Sequence, residues 1–293
     1  MIILLGASGY VGQEFAAYFD RQKIPFISLG RRDVDYYAAE ALAAELTARR
    51  ATFLINCAGF TGKPNVDACE FQKPDCLMGN AVLPGVISQA CALAEIPWGH
   101  VSSGCIYTGE KPNGAGFTEL DPPNFSFRQN NCSFYSGCKA LGEECLVDDL
   151  RCYIWRLRIP FNAADSPRNY LTKLMRYDRL LDARNSLSQL DEFVVACHDC
   201  WRLKLDFGTY NLTNGGSMTA REIVAMIQEH RIVDKQFSFF EDEAQFMQLA
   251  AKTPRSNTVL DNSKAIAAGL KMSPVRDAVE NALRHWGKSS GDD

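Results

Sequence analysis

Tyr135 and Lys139 are the residues whose types and spacing most directly suggest chemistry. They bound the segment Tyr135-Ser-Gly-Cys-Lys139, and a separation of four places both side chains on one face of a helix. A nearby ammonium is expected to lower the pKa of a phenol, so Tyr135 can exchange a proton with a carbonyl or alcohol oxygen while a hydride moves at the carbon. Because this pair is common by chance, it indicates oxidoreduction only together with a nucleotide-binding signal.

Two more reactive side chains follow the apolar segment Trp98–Ser103, which predicts a strand. Ser103 ends that strand, where active sites of parallel sheets gather, and its hydroxyl can donate to the same oxygen as Tyr135. Cys105 comes two residues later, so its thiol points to the same side as Ser103 if the strand continues. Since a buried strand thiol is usually inert, the residue type alone leaves open whether Cys105 reacts or packs.

A glycine-rich turn, Gly6-Ala-Ser-Gly-Tyr-Val-Gly12, supplies the nucleotide-binding signal. It stands between a predicted strand and a predicted helix, where glycines permit a tight turn and the helix N-terminus offers free N–H groups to a pyrophosphate. The residues expected to contact a dinucleotide belong to this turn, to the end of the third predicted strand and to the catalytic pair: Gly6, Ser8, Gly9, Tyr10, Val11, Gly12, Ala58, Gly59, Tyr135 and Lys139.

The end of the second predicted strand bears on which dinucleotide is bound. An enzyme that uses NAD usually places a carboxylate there, on the ribose 2′-hydroxyl. Arg31 and Arg32 occupy this place, and their paired N–H donors suit a 2′-phosphate. Asp33, which we also expect near the cofactor, and Asp35 keep NADH as the alternative, and a solvated arginine pair is the competing account of Arg31 and Arg32. NADPH is therefore the favoured cofactor.

The order of the predicted elements indicates how these residues come together. Short apolar runs alternate with helical segments, which predicts an α/β fold, a Rossmann-type doubly wound parallel sheet. After Pro160 the alternation weakens, so we expect a dinucleotide-binding domain over 1–160 and a smaller, mainly α/β substrate-binding lobe over 161–293, with some strands returning to the main sheet. The predicted strands are 2–5, 26–29, 51–57, 98–103, 153–158 and 208–212, and the predicted helices are 10–21, 35–50, 81–94, 135–147, 169–181, 190–201 and 219–229.

Composition narrows the functional classes. The 293 residues carry a net charge of −4, so the basic surface that nucleic acid binding requires is missing. No apolar run is expected to reach the ~18 residues of a membrane helix, and no charged leader precedes the first strand, which favours a cytoplasmic protein. Self-association into a homodimer stays open.

The 11 cysteines are expected to be reduced thiols, because the apolar content is ample for a core without disulfides. Cys197 and Cys200 form one C-x-x-C pair, but no second pair of ligands follows at a spacing suited to zinc. Packing in a buried helix explains this pair as well, so we expect no metal.

Five longer stretches are more specific: Ala58-Gly-Phe-Thr-Gly-Lys-Pro-Asn-Val-Asp67, Ser103-Gly-Cys-Ile-Tyr107, Phe134-Tyr-Ser-Gly-Cys-Lys139, Pro167-Arg-Asn-Tyr-Leu-Thr-Lys173 and Pro254-Arg-Ser-Asn257. With them the chain resembles the extended short-chain dehydrogenases that make deoxysugar nucleotides, in particular the plant-type bifunctional UDP-4-keto-rhamnose 3,5-epimerase/4-reductases. The resemblance implies that Ser103, Tyr135 and Lys139 form a reductase triad. It also implies that Cys105 and Lys173 form an epimerase pair. It also implies a set of substrate-binding residues, namely Ser103, Cys105, Asn169, Arg255 and Asn257.

The resemblance further implies a two-step reaction on a nucleotide-diphosphate sugar with a 4-keto group. Carbons 3 and 5 both adjoin the ketone and are acidic, so the Cys105 thiolate can remove a proton and Lys173 can return one on the other face. Reduction at carbon 4 with NADPH follows. Monofunctional dTDP-4-dehydrorhamnose reductases are similar to the chain too, but have a tyrosine in place of Cys105, so a 4-keto reductase alone is the first alternative.

A non-catalytic NADP-binding regulatory subunit is the second alternative, although such a protein has no need to keep serine, tyrosine and lysine together. Lys173 is also compatible with a solvated helix lysine. Arg255 can hold a diphosphate by charge-assisted hydrogen bonds, and a surface salt bridge is the competing account. The segment Phe125–Cys132 is longer than the family's loop, so substrate access is expected to differ.

Overall fold

Short strands of mainly apolar residues alternate with helices along the chain, as the sequence pattern predicts. The computed structural model describes residues 1–63 and 65–287. Its strands are β1 Ile2–Leu5, β2 Phe26–Leu29, β3 Phe53–Asn56, β4 Trp98–Ser103, β5 Cys152–Leu157, β6 Pro160–Phe161, β7 Arg179–Leu180, β8 Arg184–Asn185, β9 Ser188–Gln189, β10 Gly208–Asn211, β11 Met218–Thr219 and β12 Ser238–Phe239.

Helices connect these strands. They are α1 Tyr10–Gln22, α2 Ala39–Ala48, α3 Lys73–Leu77, α4 Leu83–Leu93, α5 Phe134–Glu144, α6 Tyr170–Arg176, α7 Leu190–Arg202, α8 Ala220–Glu229, α9 Glu243–Leu249, α10 Ser263–Ala267 and α11 Val275–Arg284. A π-helical turn, Met78–Val82, joins α3 to α4, and 3-10 turns are formed by Val66–Glu70 and Gly104–Ile106.

Six of the strands form one parallel sheet in the order β10-β5-β4-β3-β1-β2. The chain starts at β1, moves outward to β2 and then crosses to β3 on the other side of β1. The carboxyl ends of β1 and β3 therefore flank the crevice in which ligands of such sheets bind. The predicted α/β fold with a doubly wound parallel sheet is confirmed.

Both faces of the sheet are buried, as is usual for parallel strands. Alternate residues of β1 point to opposite sides: Ile2 and Leu4 pack in a core with α1 and α7, whereas Ile3 and Leu5 pack in a core with α2 and α4. A third core, built from α6, α8 and α11, lies in the second part of the chain. This part also returns to the main sheet, because β10 pairs with β5.

Some predicted boundaries differ from those in the structure. The helix expected at 81–94 begins earlier, at Lys73, and passes through the π-helical turn before Pro84. Pro84 has no N–H, so it fits the first turn of α4 and not the middle of a regular helix. The helix expected at 169–181 ends at Arg176, because Tyr177 is extended and leads into β7.

The expectation that no apolar segment has the length of a membrane span is wrong for one helical stretch. Lys73–Leu93 has 21 residues and a mean hydropathy of 1.5 in its most apolar window. Half of that window is buried inside the protein, which is also what the core helix of a soluble protein shows. Length and apolarity alone therefore do not assign this segment to a membrane.

Candidate active site

The glycine-rich turn between β1 and α1 forms a cradle in which backbone approaches backbone. Gly6 has φ +78°, and a Cβ placed on it would lie 2.4 Å from the Ala58 nitrogen. A Cβ on Gly12 would lie 2.2 Å from the Gly6 oxygen. Gly9 is the N-cap of α1 and has no side chain that would occupy the free N–H groups of its first turn. These features fit a dinucleotide pyrophosphate.

The second wall of the cradle is the turn that follows β3. Buried Asn56 accepts a hydrogen bond from the Ala58 nitrogen at 2.9 Å, and its amide lies 3.0 Å from Nδ1 of His100. Burial, and then the Lys139 charge, lower the pKa of His100 well below its usual value, so the imidazole stays neutral. This pair holds Ala58 and Gly59 against the cradle.

The turn after β2 carries one aspartate that bonds to the backbone and two exposed arginines. The Asp33 carboxylate accepts a hydrogen bond of 2.7 Å from the Gly30 nitrogen and thus closes the turn. Arg31 and Arg32 are exposed on the same turn. The donor set at this position therefore suits an anionic 2′-phosphate better than a hydroxyl. The Tyr10 hydroxyl donates to Asn162 Oδ1 at 3.0 Å.

Helix α5 carries Tyr135 and Lys139 and begins with Ser133, whose side chain accepts from the Ser136 nitrogen. Two glycines of this helix allow close packing. A Cβ on Gly137 would lie 2.3 Å from the Phe127 ring, and one on Gly142 would lie 2.2 Å from a backbone oxygen of the π-helical turn. The long segment before α5 therefore packs onto the catalytic helix through Phe127.

Lys139 connects the helix to the cofactor cradle. Its side chain is buried, and Nζ donates to the Val101 carbonyl at 3.3 Å. A Cβ built on Gly59 would lie 3.8 Å from the same Nζ. Burial lowers the pKa of Lys139, and the nearby thiols and Glu143 oppose this. The ammonium thus lies beside Gly59 in the second wall of the cradle.

The expected lowering of the Tyr135 pKa is wrong. Burial raises the pKa of Tyr135 well above its usual value, Cys105 adds to the rise, and Arg158 is the cation that opposes it. The reason is that desolvation penalises the phenolate more than the neighbouring charges stabilise it. Tyr135 is therefore a protonated phenol at neutral pH, which is the form that can donate a proton.

Ser103 and Cys105 stand at the carboxyl end of β4, but not on a continuous strand. After Ser103 the chain forms the 3-10 turn Gly104–Ile106, and the Cys105 nitrogen donates to Ser103 Oγ at 3.2 Å. The turn, rather than strand alternation, brings the thiol beside the serine and against the Tyr135 ring. Burial raises the pKa of Cys105, and hydrogen bonds from Ser103 and Ser136 oppose the rise.

A buried ion pair holds α5, the helix that carries Tyr135 and Lys139, on the sheet. Glu143, one turn after Lys139, receives hydrogen bonds of 3.0 Å from Arg156 Nε and 2.6 Å from Arg156 Nη2. Ser102 Oγ also donates to this carboxylate, and Arg156 Nη1 donates to the Tyr107 hydroxyl. α5 is thereby fixed to β4 and β5 at the depth of the sheet.

Asn169 and Asn257, two residues expected to bind substrate, make contacts within the protein. Asn169 is fully buried and caps α6: its Oδ1 accepts from the Leu171 nitrogen, and its amide donates to the carbonyls of Asn162 and Ala164. This engagement leaves no part of the amide free for a sugar. The Asn257 Oδ1 accepts from Asn185 at 3.3 Å, and its side chain keeps some exposure.

Arg255 and Lys173 lie in the second part of the chain. Arg255 forms an ion pair with Asp67, so the salt bridge weighed against a diphosphate contact is the interaction present here. Lys173 is partly buried on α6, where burial and then the Arg168 charge lower its pKa. Among the residues that the structure describes, no hydrogen bond joins Lys173 to the Gly104–Ile106 turn.

The C-x-x-C pair belongs to the core. Cys197 and Cys200 are fully buried on α7, and His198 between them bonds the Tyr18 hydroxyl at 3.1 Å. Among residues 1–63 and 65–287 no group of three or more histidine, cysteine or acidic side chains is arranged to hold a metal ion. All 11 cysteines are free thiols.

Comparison with known proteins identifies the family of this chain. The family model of the RmlD substrate binding domain matches residues 1–287. The chain belongs to this family.

Two curated RmlD-type relatives come from Arabidopsis thaliana. A bifunctional dTDP-4-dehydrorhamnose 3,5-epimerase/dTDP-4-dehydrorhamnose reductase is 30% identical over 269 residues, which cover 89% of this chain and 85% of that protein. A trifunctional UDP-glucose 4,6-dehydratase/UDP-4-keto-6-deoxy-D-glucose 3,5-epimerase/UDP-4-keto-L-rhamnose-reductase is 30% identical over 94% of this chain. The match spans only 41% of the trifunctional protein.

Solved structures agree on the RmlD fold. The UDP-rhamnose synthase of Acanthamoeba polyphaga mimivirus has a TM-score of 0.88 at 22% identity and covers 97% of this chain and 98% of that one. The dTDP-4-dehydrorhamnose reductase of Bacillus anthracis, solved in complex with NADP, has a TM-score of 0.80 at 17% identity and covers 97% of each chain. The expected cofactor is therefore one that a solved protein of this fold binds.

Sequence reasoning missed several residues of this RmlD-type site. Asn56, His100, Asn80, Glu143 and Arg158 are all buried and polar. The signal that could have found some of them is a polar residue inside a strand predicted to be buried, since such a residue needs a specific partner. Arg158, for example, directly follows the apolar end of β5.

Proposed function

We propose that this RmlD-family protein reduces the 4-keto group of a nucleotide-linked 4-keto-6-deoxyhexose with NADPH, and that it first epimerises carbons 3 and 5 of the same sugar. The observation that carries the proposal is the gathering of Ser103, Cys105, Tyr135 and Lys139 beside the glycine cradle at one edge of the sheet. The substrate is accordingly a nucleotide-diphosphate sugar of the kind that rhamnose synthesis uses.

The reductive step needs an acid next to the ketone. NADPH, when bound, supplies a hydride. Tyr135 is the acid, because burial keeps its phenol protonated, and it delivers its proton to the oxygen at carbon 4. Ser103 Oγ donates a second hydrogen bond to that oxygen, and the Lys139 ammonium, held by Val101, stabilises the phenolate left behind.

The epimerising step needs a base and an acid on opposite faces of the sugar. The Cys105 thiolate takes the proton from carbon 3 or carbon 5, and the electron pair moves into an enolate whose oxygen is held by Ser103 and Tyr135. Lys173 returns a proton to the other face. Burial and then the Arg168 charge lower the pKa of Lys173, which makes its ammonium a stronger proton donor.

A reductase without epimerase activity is the second candidate. Burial raises the pKa of Cys105, which disfavours the thiolate, and this observation favours an inert thiol. Reduction alone would need only Ser103, Tyr135 and Lys139.

Solvent exchange separates the two candidates. Purified protein is incubated in deuterium oxide, without NADPH, with UDP- and dTDP-4-keto-6-deoxyglucose, and deuterium at carbons 3 and 5 is followed by NMR. Exchange at both carbons supports the epimerase. NADPH is then added, and the stereochemistry of the product is read. Absence of NADPH oxidation with every 4-keto sugar would contradict the reductase and favour a binding-only protein.

A further inference from the structure

Arg158 is a buried arginine whose charge is not balanced. Its side chain is 7% exposed, and Nη2 donates to two neutral acceptors, Asn185 Oδ1 at 2.6 Å and the Ser256 carbonyl. Nε has no hydrogen-bond partner among the residues that the structure describes. Arg156, two residues earlier, meets the carboxylate of Glu143.

Burial lowers the pKa of Arg158 to about 10, because the guanidinium loses hydration without gaining an ion pair. Such a group destabilises the fold, so a functional reason for it has to be sought among its neighbours.

Those neighbours are the turn that carries Cys105 and the segment that faces it. A Cβ built on Gly104 would lie 3.6 Å from Arg158 Cδ. Ser256, which accepts from Arg158 through its carbonyl, donates through its hydroxyl to the Tyr107 carbonyl. The Arg158 side chain thus passes beside Gly104 at the start of the turn and is linked through Ser256 to Tyr107 at its end.

Few charged or titratable groups face the Cys105 thiol. Tyr135 and Lys139 approach from α5, Cys132 approaches from the segment before α5, and Arg158 approaches from the segment after β5. Only Lys139 and Arg158 among these are cations. Lys139 is engaged by the Val101 carbonyl, whereas Arg158 Nε has no partner among the residues that the structure describes.

The backbone beside Arg158 is strained. Ile159 has φ +40°, a left-handed conformation that β-branched residues rarely adopt. The Arg158 nitrogen is fixed by a hydrogen bond of 3.0 Å to Ser188 Oγ. Strain of this kind persists where surrounding structure enforces it, often at functional sites. Here the strained residue directly follows Arg158.

We propose that Arg158 is a positioning residue that stabilises the thiolate form of Cys105 and so makes it a base. The proposal rests on the epimerase function proposed above. In the step, the thiolate sulfur forms an S–H bond with the proton of carbon 3 or 5, and the C–H electron pair moves into the enolate. Arg158 makes no bond to the sugar and transfers no proton. Its charge shifts the thiol–thiolate equilibrium before the substrate reacts.

The test is the pH profile of Cys105 alkylation by iodoacetamide, read by peptide mass spectrometry on the full chain. In Arg158→Met the midpoint should move up by about one pH unit or more, since a neighbouring cation shifts a thiol by that order. Arg158→Lys, which keeps the charge, should move it less. Exposed Cys145 is the internal control, because its profile should be the same in all proteins.

Deuterium exchange at carbons 3 and 5 gives the second readout. In Arg158→Met the exchange at pH 7.5 should fall about tenfold and recover at higher pH, in step with the alkylation midpoint. A purely structural role would lower exchange without moving the midpoint. If Arg158→Met does not fold, Arg158→Gln, which keeps a donor without the charge, replaces it.

The outcomes distinguish the two proposals. A shifted midpoint in Arg158→Met together with no exchange by the wild type supports the Arg158–Cys105 coupling and contradicts the epimerase function. Exchange by the wild type together with an unshifted midpoint in folded Arg158→Met overturns the role of Arg158 and leaves the epimerase function standing.

Discussion

Asp67 and Arg255 form a two-pronged ion pair that joins the two parts of the chain. Arg255 Nη1 lies 2.6 Å from Oδ1 of Asp67, and Nη2 lies 2.8 Å from Oδ2. Asp67 belongs to the 3-10 turn after β3, whereas Arg255 follows α9. A second arginine, Arg168, donates to the Gly62 carbonyl of the same loop at 2.9 Å. The loop after β3 is thus held by two arginines of the second part, Arg168 and Arg255.

Breaking this pair should destabilise the protein. Both side chains are mostly buried, so Asp67→Asn is expected to lower the free energy of unfolding by about 1–3 kcal/mol. Arg176→Gln is the matched control, since its pair with Asp165 is exposed and should contribute less than about 1 kcal/mol. Urea denaturation of both variants gives the comparison. Equal losses would show that the Asp67–Arg255 pair behaves as an ordinary surface contact.

Removing the proposed acid should abolish most of the reduction. Tyr135→Phe keeps the ring but has no proton to give, so kcat with NADPH and a 4-keto sugar nucleotide should fall by about 10²–10⁴. NADPH binding, followed by cofactor fluorescence, should stay within about twofold, because the phenyl ring preserves packing. Tyr177→Phe, at an exposed tyrosine outside the site, should keep full activity. Comparable losses in the two variants would remove Tyr135 from the mechanism.

Removing the proposed base should separate the two reactions. Cys105→Ala is expected to lower deuterium exchange at carbons 3 and 5 by about 10² or more, as loss of a general base does. Reduction of a sugar that already has the epimerised configuration should continue. Cys91→Ala, at a buried cysteine of the core between the sheet and α4, is the control for the effect of losing a thiol. Exchange that survives in Cys105→Ala would exclude the thiol as the base.

Neutralising the arginines at the end of β2 should change the cofactor preference. Arg31→Ala/Arg32→Ala is expected to weaken NADPH binding about tenfold or more and to leave NADH binding nearly unchanged, because charge-assisted bonds to the 2′-phosphate are lost. Arg50→Ala, at an exposed arginine after α2, controls for the loss of surface charge. Dissociation constants are measured by fluorescence titration. A parallel loss for both cofactors would contradict the assignment.

Stability should depend on pH through the buried histidines. The pKa of His100 and that of His198 are lowered by burial, so the unfolded chain takes up protons near pH 6.5 that the folded chain does not. Stability is therefore fully present above that pH and is lost as pH falls below it, by up to about 1.4 kcal/mol per pH unit for His100. His100→Gln should flatten the profile between pH 6.5 and 5 in denaturation experiments. An unchanged slope would mean that His100 is charged in the folded state.

Residues whose roles depend on local spacing could be predicted from the sequence. The glycine cradle requires only a strand, a tight turn and a helix in succession, and Tyr135 and Lys139 share a helix face by their separation alone. Asn169 was misjudged because a motif match does not tell whether an amide faces a cleft or caps a helix. The fold decides this, since the carbonyls that bind its amide belong to the preceding loop.

The pKa shifts and ion pairs of the site residues were harder to predict than the elements on which these residues lie. The depth of burial of Tyr135, which no sequence pattern gives, raises its pKa, and the cation that opposes this rise is Arg158 rather than the expected lysine. The partner of Arg255 was equally hidden, because Asp67 is 188 residues away in the sequence. Contacts of this kind depend on two features of the fold. The chain crosses from β2 to β3 on the other side of β1, and the second part of the chain returns to the sheet.

The ion pair of Glu143 and Arg156 has a consequence for how far α5 can move on the sheet. Because two desolvated charges would have to part before α5 could slide or turn, the row of Tyr135, Lys139 and Glu143 is anchored to the sheet as one unit. Substitutions that change the sugar preference of this protein while α5 stays in place would therefore have to act on the wall of the cleft opposite this helix.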